Sequence, residues 1–258
     1  ITSRTAAVLD DVDAAKSYRQ LADATKAAFH RKFYDEVNGT YGDGGGNILA
    51  LRMGVPQDRY PRVLDALRKN IRATDGHLDT GIFGTRFFFE VLAENGMHDL
   101  AYQALNKTTE PSFGHWIELG STTTREKWDT GGSHNHPMFG GGLIWFYRNL
   151  AGIQADPDKP GYRKIIVKPQ VIDELQYVTY INETPYGKAG ITWKTSEGKF
   201  TMEVIVPVTC TADVYVPSRP GSEVLEQGIV ASKASGVKYL RAEGDYEVYQ
   251  VMSGSYHF

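Results

Sequence analysis

The order of hydrophobic and polar residues divides the chain into a helical first part and a β-rich second part. Apolar side chains recur every three or four residues from Val12 to Phe33, which is the spacing of one helix face, and Asp10 or Asp11 can cap its start. The same spacing, bounded by glycine or proline, predicts further helices. About six helices are therefore expected in all, the others at 48–53, 61–73, 86–94, 99–106 and 139–150.

Glycine-rich or polar loops separate these predicted helices. The segment 34–46, YDEVNGTYGDGGG, is predicted to be a loop because the runs Asn38-Gly39 and Gly44 to Gly46 interrupt a helix. Paired helices with such loops are typical of a bundle or an α/α toroid, and no fixed-period repeat indicates a solenoid. In a toroid the loops at one end carry the ligand site, since loops vary without disturbing the core.

A Pro- and Gly-containing segment at 155–161, ADPDKPG, marks a change of pattern and is predicted to be a linker. Beyond it the hydrophobic period becomes two, which predicts seven short strands and an antiparallel β-sandwich. The strands are expected at 162–168, 177–181, 189–194, 199–206, 213–216, 237–241 and 246–252. The predicted domains are a helical domain at 1–154 and a β-sandwich domain at 162–258.

Composition narrows the possible partners. The 258 residues carry a net charge of −3 without a Lys/Arg cluster, so neither nucleic acid nor an anionic membrane is favoured as a partner. No apolar run approaches the roughly 20 residues that a membrane span needs. The single Cys210 excludes an internal disulfide. The chain begins at Ile1 without a targeting segment, as a mature or truncated product would, so its localisation is left open.

The segment 110–150 concentrates the candidate chemistry, with three Trp and three His residues in one long, polar and aromatic stretch. Long loops inside domains are usually functional or disordered, and Trp-rich loops are seldom disordered. Arg125 and Lys127 flank Glu126 and favour its ionised carboxylate, and Trp128 follows. Such a carboxylate beside an aromatic wall can activate water against a sugar ring. A surface glutamate in a mixed-charge run is an equally good interpretation of this spacing.

Other residues of the same segment have competing interpretations. Glu118, in the apolar context WIEL, is either a second catalytic carboxylate or a buried group bonded to backbone. His134 and His136 lack further ligands at metal-binding spacing, so neither a metal nor a cofactor is predicted. His115 and Trp116 either line a pocket or serve in packing.

Six motifs, in this order along most of the chain, resemble the bacterial α-L-rhamnosidases. They are AFHRKFYDEVNGTYGDG, TGIFGTRFFFEVLAENGMHDLAY, PSFGHWIELGSTTTREKWD, SHNHPMFGGGLIWFYRNLAGI, PGYRKIIVKP and TPYGKAGITWK. The resemblance implies an inverting glycoside hydrolase with an (α/α)6 toroid followed by a C-terminal β domain. The implied partner is a rhamnose-containing glycoside or oligosaccharide.

The resemblance also implies roles for individual residues. Glu126 corresponds to the general base that activates the attacking water, and His136 to a histidine that contacts the bound sugar. We expect both to share a pocket with His115, Trp116 or Trp128.

The acidic segment that carries the family's general acid has no counterpart in this sequence, and six helices are half of a toroid. We therefore expect a partial toroid that carries the base but not the acid and is inactive alone. Unpartnered helix faces, such as that of 86–94, predict self-association, rearrangement or marginal stability of the isolated chain. Two alternatives remain: a non-catalytic carbohydrate-binding module, or an α/α-toroid glycosidase that acts on another sugar.

Overall fold

The computed structural model describes residues 1–129, 131–219 and 221–258. Contacts divide the chain into two compact units, the helical Ile1–Gly141 and the mainly β Gly142–Phe258, which confirms the predicted order of α followed by β. None of the helices in the described ranges has the length and apolar character needed to cross a bilayer. The helices are α1 (Thr2–Val8), α2 (Val12–Phe33), α3 (Gly44–Met53), α4 (Tyr60–Ala73), α5 (Ile82–Glu94), α6 (His98–Leu105), α7 (Phe113–Glu118) and α8 (Gly141–Trp145).

The predicted helices all form, with changed limits at most ends. Asp11 caps α2 by accepting a hydrogen bond from the Ala14 backbone N–H at 3.0 Å, as expected. The last predicted helix is divided into a 3₁₀ turn (Pro137–Gly140), α8 and a π-helical turn (Phe146–Leu150). Helices α1 and α7 were not predicted, because seven and six residues are too few to display a helical period.

The prediction that the glycine run at 44–46 interrupts the helix is wrong, since α3 begins at Gly44. The carboxylate of Asp43 accepts a hydrogen bond from the Gly46 N–H at 2.8 Å and so caps this helix. A Cβ at position 46 would lie 2.4 Å from the carbonyl oxygen of Tyr41. Glycine at this position therefore permits a close backbone approach within the first turn of α3.

The core of the helical unit lies among α3, α4 and α5. The prediction that the helix at 86–94 lacks partners is wrong, because Phe88, Phe89, Val91 and Leu92 of this helix are buried in the core. Exposed apolar side chains are found at the start of α5, where Phe83 is 73% exposed, and on α2, where Leu21 is 62% and Phe33 is 53% exposed. The large core side chains are Ile48, Leu51, Val63, Leu67, Ile71, Phe88, Phe89, Val91 and Leu92.

The second unit contains a five-stranded sheet in the order β1-β2-β6-β10-β9 and a four-stranded sheet in the order β11-β5-β4-β3. All seven predicted strands are present, and among the described residues every strand pair is antiparallel except β2 with β6, which is parallel. The strands are β1 (Ile153–Ala155), β2 (Lys164–Val167), β3 (Tyr177–Thr184), β4 (Gly187–Ser196), β5 (Lys199–Val206), β6 (Thr211–Pro217), β7 (Leu225–Glu226), β8 (Ile229–Val230), β9 (Val237–Glu243), β10 (Tyr246–Val251) and β11 (Gly254–His257).

The entry into the β unit is fixed by Gly152. This residue has φ +87°, the left-handed conformation in which many helices end, and its N–H donates to the Tyr147 carbonyl at 3.1 Å. A Cβ here would lie 2.3 Å from the carbonyl carbon of Lys168. The segment 155–161, predicted as a linker, connects the paired strands β1 and β2. The proposed domain limits of 1–154 and 162–258 remain a prediction.

Candidate active site

The rings of Trp116, Trp128 and Phe139 form an aromatic cluster, which we call the aromatic floor, in the segment that carries the candidate chemistry. The rings of Trp116 and Trp128 stack with centroids 4.5 Å apart and planes 26° from parallel. Phe139 meets both rings edge-on, at 5.3 and 4.6 Å respectively. Trp116 is only 3% exposed, so it is the buried member of the stacked pair. Trp128 is half-buried and keeps part of its surface in solvent.

Two hydrogen bonds fix the position of Trp128. Its backbone carbonyl accepts a hydrogen bond from Trp116 Nε1 at 3.0 Å, and its own Nε1 donates to the carbonyl of Thr80 at 2.8 Å. Thr80 is buried and shares a 2.7 Å hydroxyl–hydroxyl hydrogen bond with Thr85 in the first turn of α5. The aromatic floor is therefore joined to the start of a core helix.

Helix α7 carries Trp116 and two polar residues with candidate roles, His115 and Glu118. The Ser112 hydroxyl caps the helix by accepting a hydrogen bond from the His115 N–H at 3.0 Å. The His115 ring is half-buried, and its Nε2 lies 4.0 Å from Glu110 Oε2. Glu118 is exposed, so its interpretation as a buried, backbone-bonded carboxylate is wrong. The reason is that α7 turns Trp116 inward and leaves the residues that follow it in solvent.

Two neighbouring segments of the loop hold Glu126 and His136. The His136 N–H donates to the Thr124 carbonyl at 2.9 Å, and the Thr124 hydroxyl donates to the His136 carbonyl at 2.6 Å. The Glu126 N–H donates to the Ser133 carbonyl at 2.8 Å, and the Ser133 N–H donates to Glu126 Oε2 at 2.9 Å. These four residues form what we call the site ladder, in which two pairs of reciprocal hydrogen bonds fix both candidate residues.

The site ladder engages one carboxylate oxygen of Glu126 and only backbone atoms of His136. Glu126 is half-buried, and its Oε1 accepts no hydrogen bond from the residues that the structure describes. His136 is also half-buried, and its Nδ1 is enclosed without a hydrogen-bond partner among those residues.

The cations that flank Glu126 in the sequence have different environments. Arg125 is 8% exposed, and its Nε donates to the Ser121 hydroxyl at 2.7 Å. Lys127 is exposed to solvent. Through this hydrogen bond Arg125 holds the loop that precedes the site ladder. Its position next to Glu126 in the sequence did not indicate this structural role.

Three residues that contact the candidate residues through backbone atoms or a hydroxyl were not predicted from the sequence: Thr124, Gly132 and Ser133. The only sequence signal for them is the Gly131-Gly132 pair, which predicts a turn. Within the described ranges, no group of three or more His, Cys, Asp or Glu side chains has the arrangement of a metal site.

A cavity of about 420 Å³ lies elsewhere in the helical unit, and none of the five predicted site residues lines it. Its buried His30 bonds Tyr41 Oη through Nδ1 at 2.6 Å and the Gly54 carbonyl through Nε2 at 3.1 Å. Burial lowers the pKa of His30, and both ring nitrogens are engaged. This histidine therefore has a structural role. The cavity is lined by Asp23, Lys26, Ala27, His30, Arg31, Pro56, Asp58 and Arg59.

Comparison with known proteins identifies relatives of both units. Residues 1–150 match the family model described as the bacterial alpha-L-rhamnosidase 6 hairpin glycosidase domain, and residues 152–230 match the bacterial alpha-L-rhamnosidase C-terminal domain. An alpha-L-rhamnosidase of Streptomyces avermitilis is 31% identical over 257 residues, covering 95% of this chain and 24% of the relative. One from Formosa agariphila is 32% identical over 207 residues, covering 75% of this chain and 22% of the relative.

Solved structures give the same result. The alpha-L-rhamnosidase of Dictyoglumus thermophilum superposes with a TM-score of 0.87 at 37% identity, over 99% of this chain and 30% of that one. The structure of the Streptomyces avermitilis alpha-L-rhamnosidase complexed with L-rhamnose superposes with a TM-score of 0.85 at 30% identity, over 99% of this chain and 25% of that one. The chain spans about a quarter of the length of the curated relatives that it matches. Because the first family model covers more than half of the sequence, the chain belongs to the bacterial α-L-rhamnosidase family.

Proposed function

We propose that this chain forms the C-terminal part of an inverting α-L-rhamnosidase and supplies Glu126 as its general base. The family membership supports the class of reaction, which is release of terminal rhamnose from a glycoside or oligosaccharide. The observation that carries the assignment of Glu126 is the site ladder, which fixes one carboxylate oxygen and leaves the other available. Fixed geometry of this kind is what a general base requires.

The proposed chemistry assigns a separate task to each carboxylate oxygen. Oε2 of Glu126 keeps its hydrogen bond to the Ser133 N–H, and Oε1 accepts a proton from the attacking water. The water adds to the anomeric carbon on the face opposite the leaving group, so the configuration at that carbon inverts. A second carboxyl group, about 6.5–9.5 Å from the base, donates a proton to the departing oxygen.

The neighbouring side chains have roles in binding the sugar in this proposal. His136 contacts a sugar hydroxyl, and the half-buried Trp128 packs against an apolar edge of the sugar. His115, whose Nε2 lies 4.0 Å from Glu110 Oε2, also contacts the sugar in this proposal. Trp116 acts from below by supporting the ring of Trp128, since it is almost fully buried.

We assign the general acid to a part of the enzyme that these 258 residues do not include. The motif comparison supports this assignment, because the acidic segment of the family has no counterpart in this sequence. Glu118 is a poor substitute, since it is exposed on a short helix and takes no part in the site ladder. The isolated chain is then expected to be inactive toward rhamnosides.

The stereochemistry of the first product tests the inverting mechanism. The full-length protein that carries this chain is mixed with an aryl α-L-rhamnoside, and the anomeric protons are followed by NMR before mutarotation. The proposal predicts that β-L-rhamnose appears first and α-L-rhamnose later. Early appearance of the α anomer would contradict inversion. Binding of L-rhamnose without hydrolysis would favour the carbohydrate-binding alternative.

A further inference from the structure

We propose that Gly132 is a positioning residue for Glu126, an inference that rests on the function proposed above. Gly132 has φ +81°, a left-handed backbone conformation that side chains other than glycine rarely adopt. A Cβ on this residue would lie 2.7 Å from Glu126 Oε2 and 3.0 Å from Glu126 Cβ. The Glu126 carboxylate therefore lies too close to leave room for a side chain at position 132.

This close approach is coupled to the hydrogen bond that orients the carboxylate. The Ser133 N–H, which belongs to the next residue, donates to the same Oε2 at 2.9 Å. A methyl group at position 132 would push Oε2 away and lengthen or break that bond. Oε1 would then lose the fixed direction in which it meets the attacking water. Displacement of a catalytic group by about 1 Å can lower a rate about 100-fold.

Gly120 provides a matched control within the same segment. Its φ of +76° is close to that of Gly132, so Gly120→Ala introduces similar backbone strain. A Cβ at position 120 would have no heavy atom within 4 Å, whereas one at position 132 would meet the carboxylate. The difference in kcat between the two alanine variants therefore measures the effect of displacing Glu126, separately from the backbone strain that both substitutions introduce.

The test compares kcat and KM of Gly132→Ala, Gly120→Ala and Glu126→Gln in the full-length protein on an aryl α-L-rhamnoside. We expect Gly132→Ala to lose about 100-fold in kcat with KM within about threefold, because the base acts mainly in the transition state. Gly120→Ala is expected to keep kcat within about twofold, since its Cβ enters open space. Equal kcat values for the two alanine variants would overturn the inference.

Glu126→Gln separates failure of this inference from failure of the proposed function. Near-normal turnover of that variant would reject Glu126 as the base, whereas its inactivity with a fully active Gly132→Ala rejects only the positioning role. If Gly132→Ala does not fold, the double variant with Glu126→Gly decides, because it also removes the Glu126 Cβ that would lie 3.0 Å from the added Cβ. Recovered folding supports steric conflict with the Glu126 side chain, and continued misfolding overturns it.

Discussion

At the scale of single residues, one hydrogen bond links the aromatic floor to the helical core. Trp128→Phe keeps an aromatic ring but removes the Nε1–H that donates to the Thr80 carbonyl at 2.8 Å. Loss of one such bond costs about 1 kcal/mol of unfolding free energy. We expect a lower thermal midpoint for Trp128→Phe than for the unmodified chain, measured by circular dichroism. An unchanged thermal midpoint would show that this hydrogen bond does not stabilise the aromatic floor.

A half-buried histidine predicts a dependence of stability on pH. Burial lowers the pKa of His98 in α6 to about 4, while the Asp99 carboxylate acts in the opposite direction. The unfolded chain binds the proton more tightly, so His98 lowers stability as the pH falls from about 6.5 towards 4. Since the side chain is partly exposed, we expect a loss of about 1–2 kcal/mol over this range.

The matched variant for this pH dependence is His98→Gln, which cannot take up the proton. Chemical unfolding of both proteins at pH 7 and at pH 4.5 gives the difference that belongs to His98. The account predicts that the unmodified chain loses more stability than His98→Gln on acidification. Equal losses would mean that the folded and unfolded chains bind this proton equally well.

The neighbouring charges and Trp128 in the sequence made Glu126 a candidate, whereas the role predicted for His136 came from the family resemblance. It did not indicate Gly132 or Ser133, since their effect depends on backbone pairing across the loop, which has no periodic signal. The environment of Glu118 was misjudged because apolar neighbours in sequence do not determine which way a short helix faces.

At the scale of secondary-structure elements, the start of α3 depends on its cap. Asp43→Ala removes the oxygen that accepts the Gly46 N–H, and such losses typically cost about 1 kcal/mol. Asp43→Asn retains an acceptor oxygen and serves as the control. We expect the thermal midpoint to fall for the alanine variant and to change little for the asparagine variant. A midpoint as high for alanine as for asparagine would contradict this role of the cap.

Long periodic elements were predictable and short ones were not. Helix α2 has 22 residues and α4 has 14, so each displays several turns of the helical period. Strands β7 and β8 have two residues each, which is too short for alternation to be recognised. The parallel pairing of β2 with β6 was also beyond reach, because alternation along a strand does not specify the direction of its neighbour.

At the scale of the whole molecule, exposed apolar side chains on α2 predict association of the isolated chain. Leu21 is 62% exposed on this helix, with Phe33 exposed farther along it. We expect Leu21→Lys to reduce the oligomeric fraction measured by analytical ultracentrifugation. Val208→Lys is the control, because Val208 is 74% exposed but lies in the β unit. Equal effects of the two substitutions would show that α2 is not the surface responsible.

The central claim is that Glu126 is the base of an inverting α-L-rhamnosidase. Its most direct test is the turnover of an aryl α-L-rhamnoside by full-length Glu126→Gln, with Glu118→Gln as the matched control for removal of a carboxylate from the same segment. The account predicts a loss of at least about 100-fold in kcat for Glu126→Gln, with L-rhamnose affinity retained, and near-normal kinetics for Glu118→Gln. Near-normal kcat for Glu126→Gln would contradict the account.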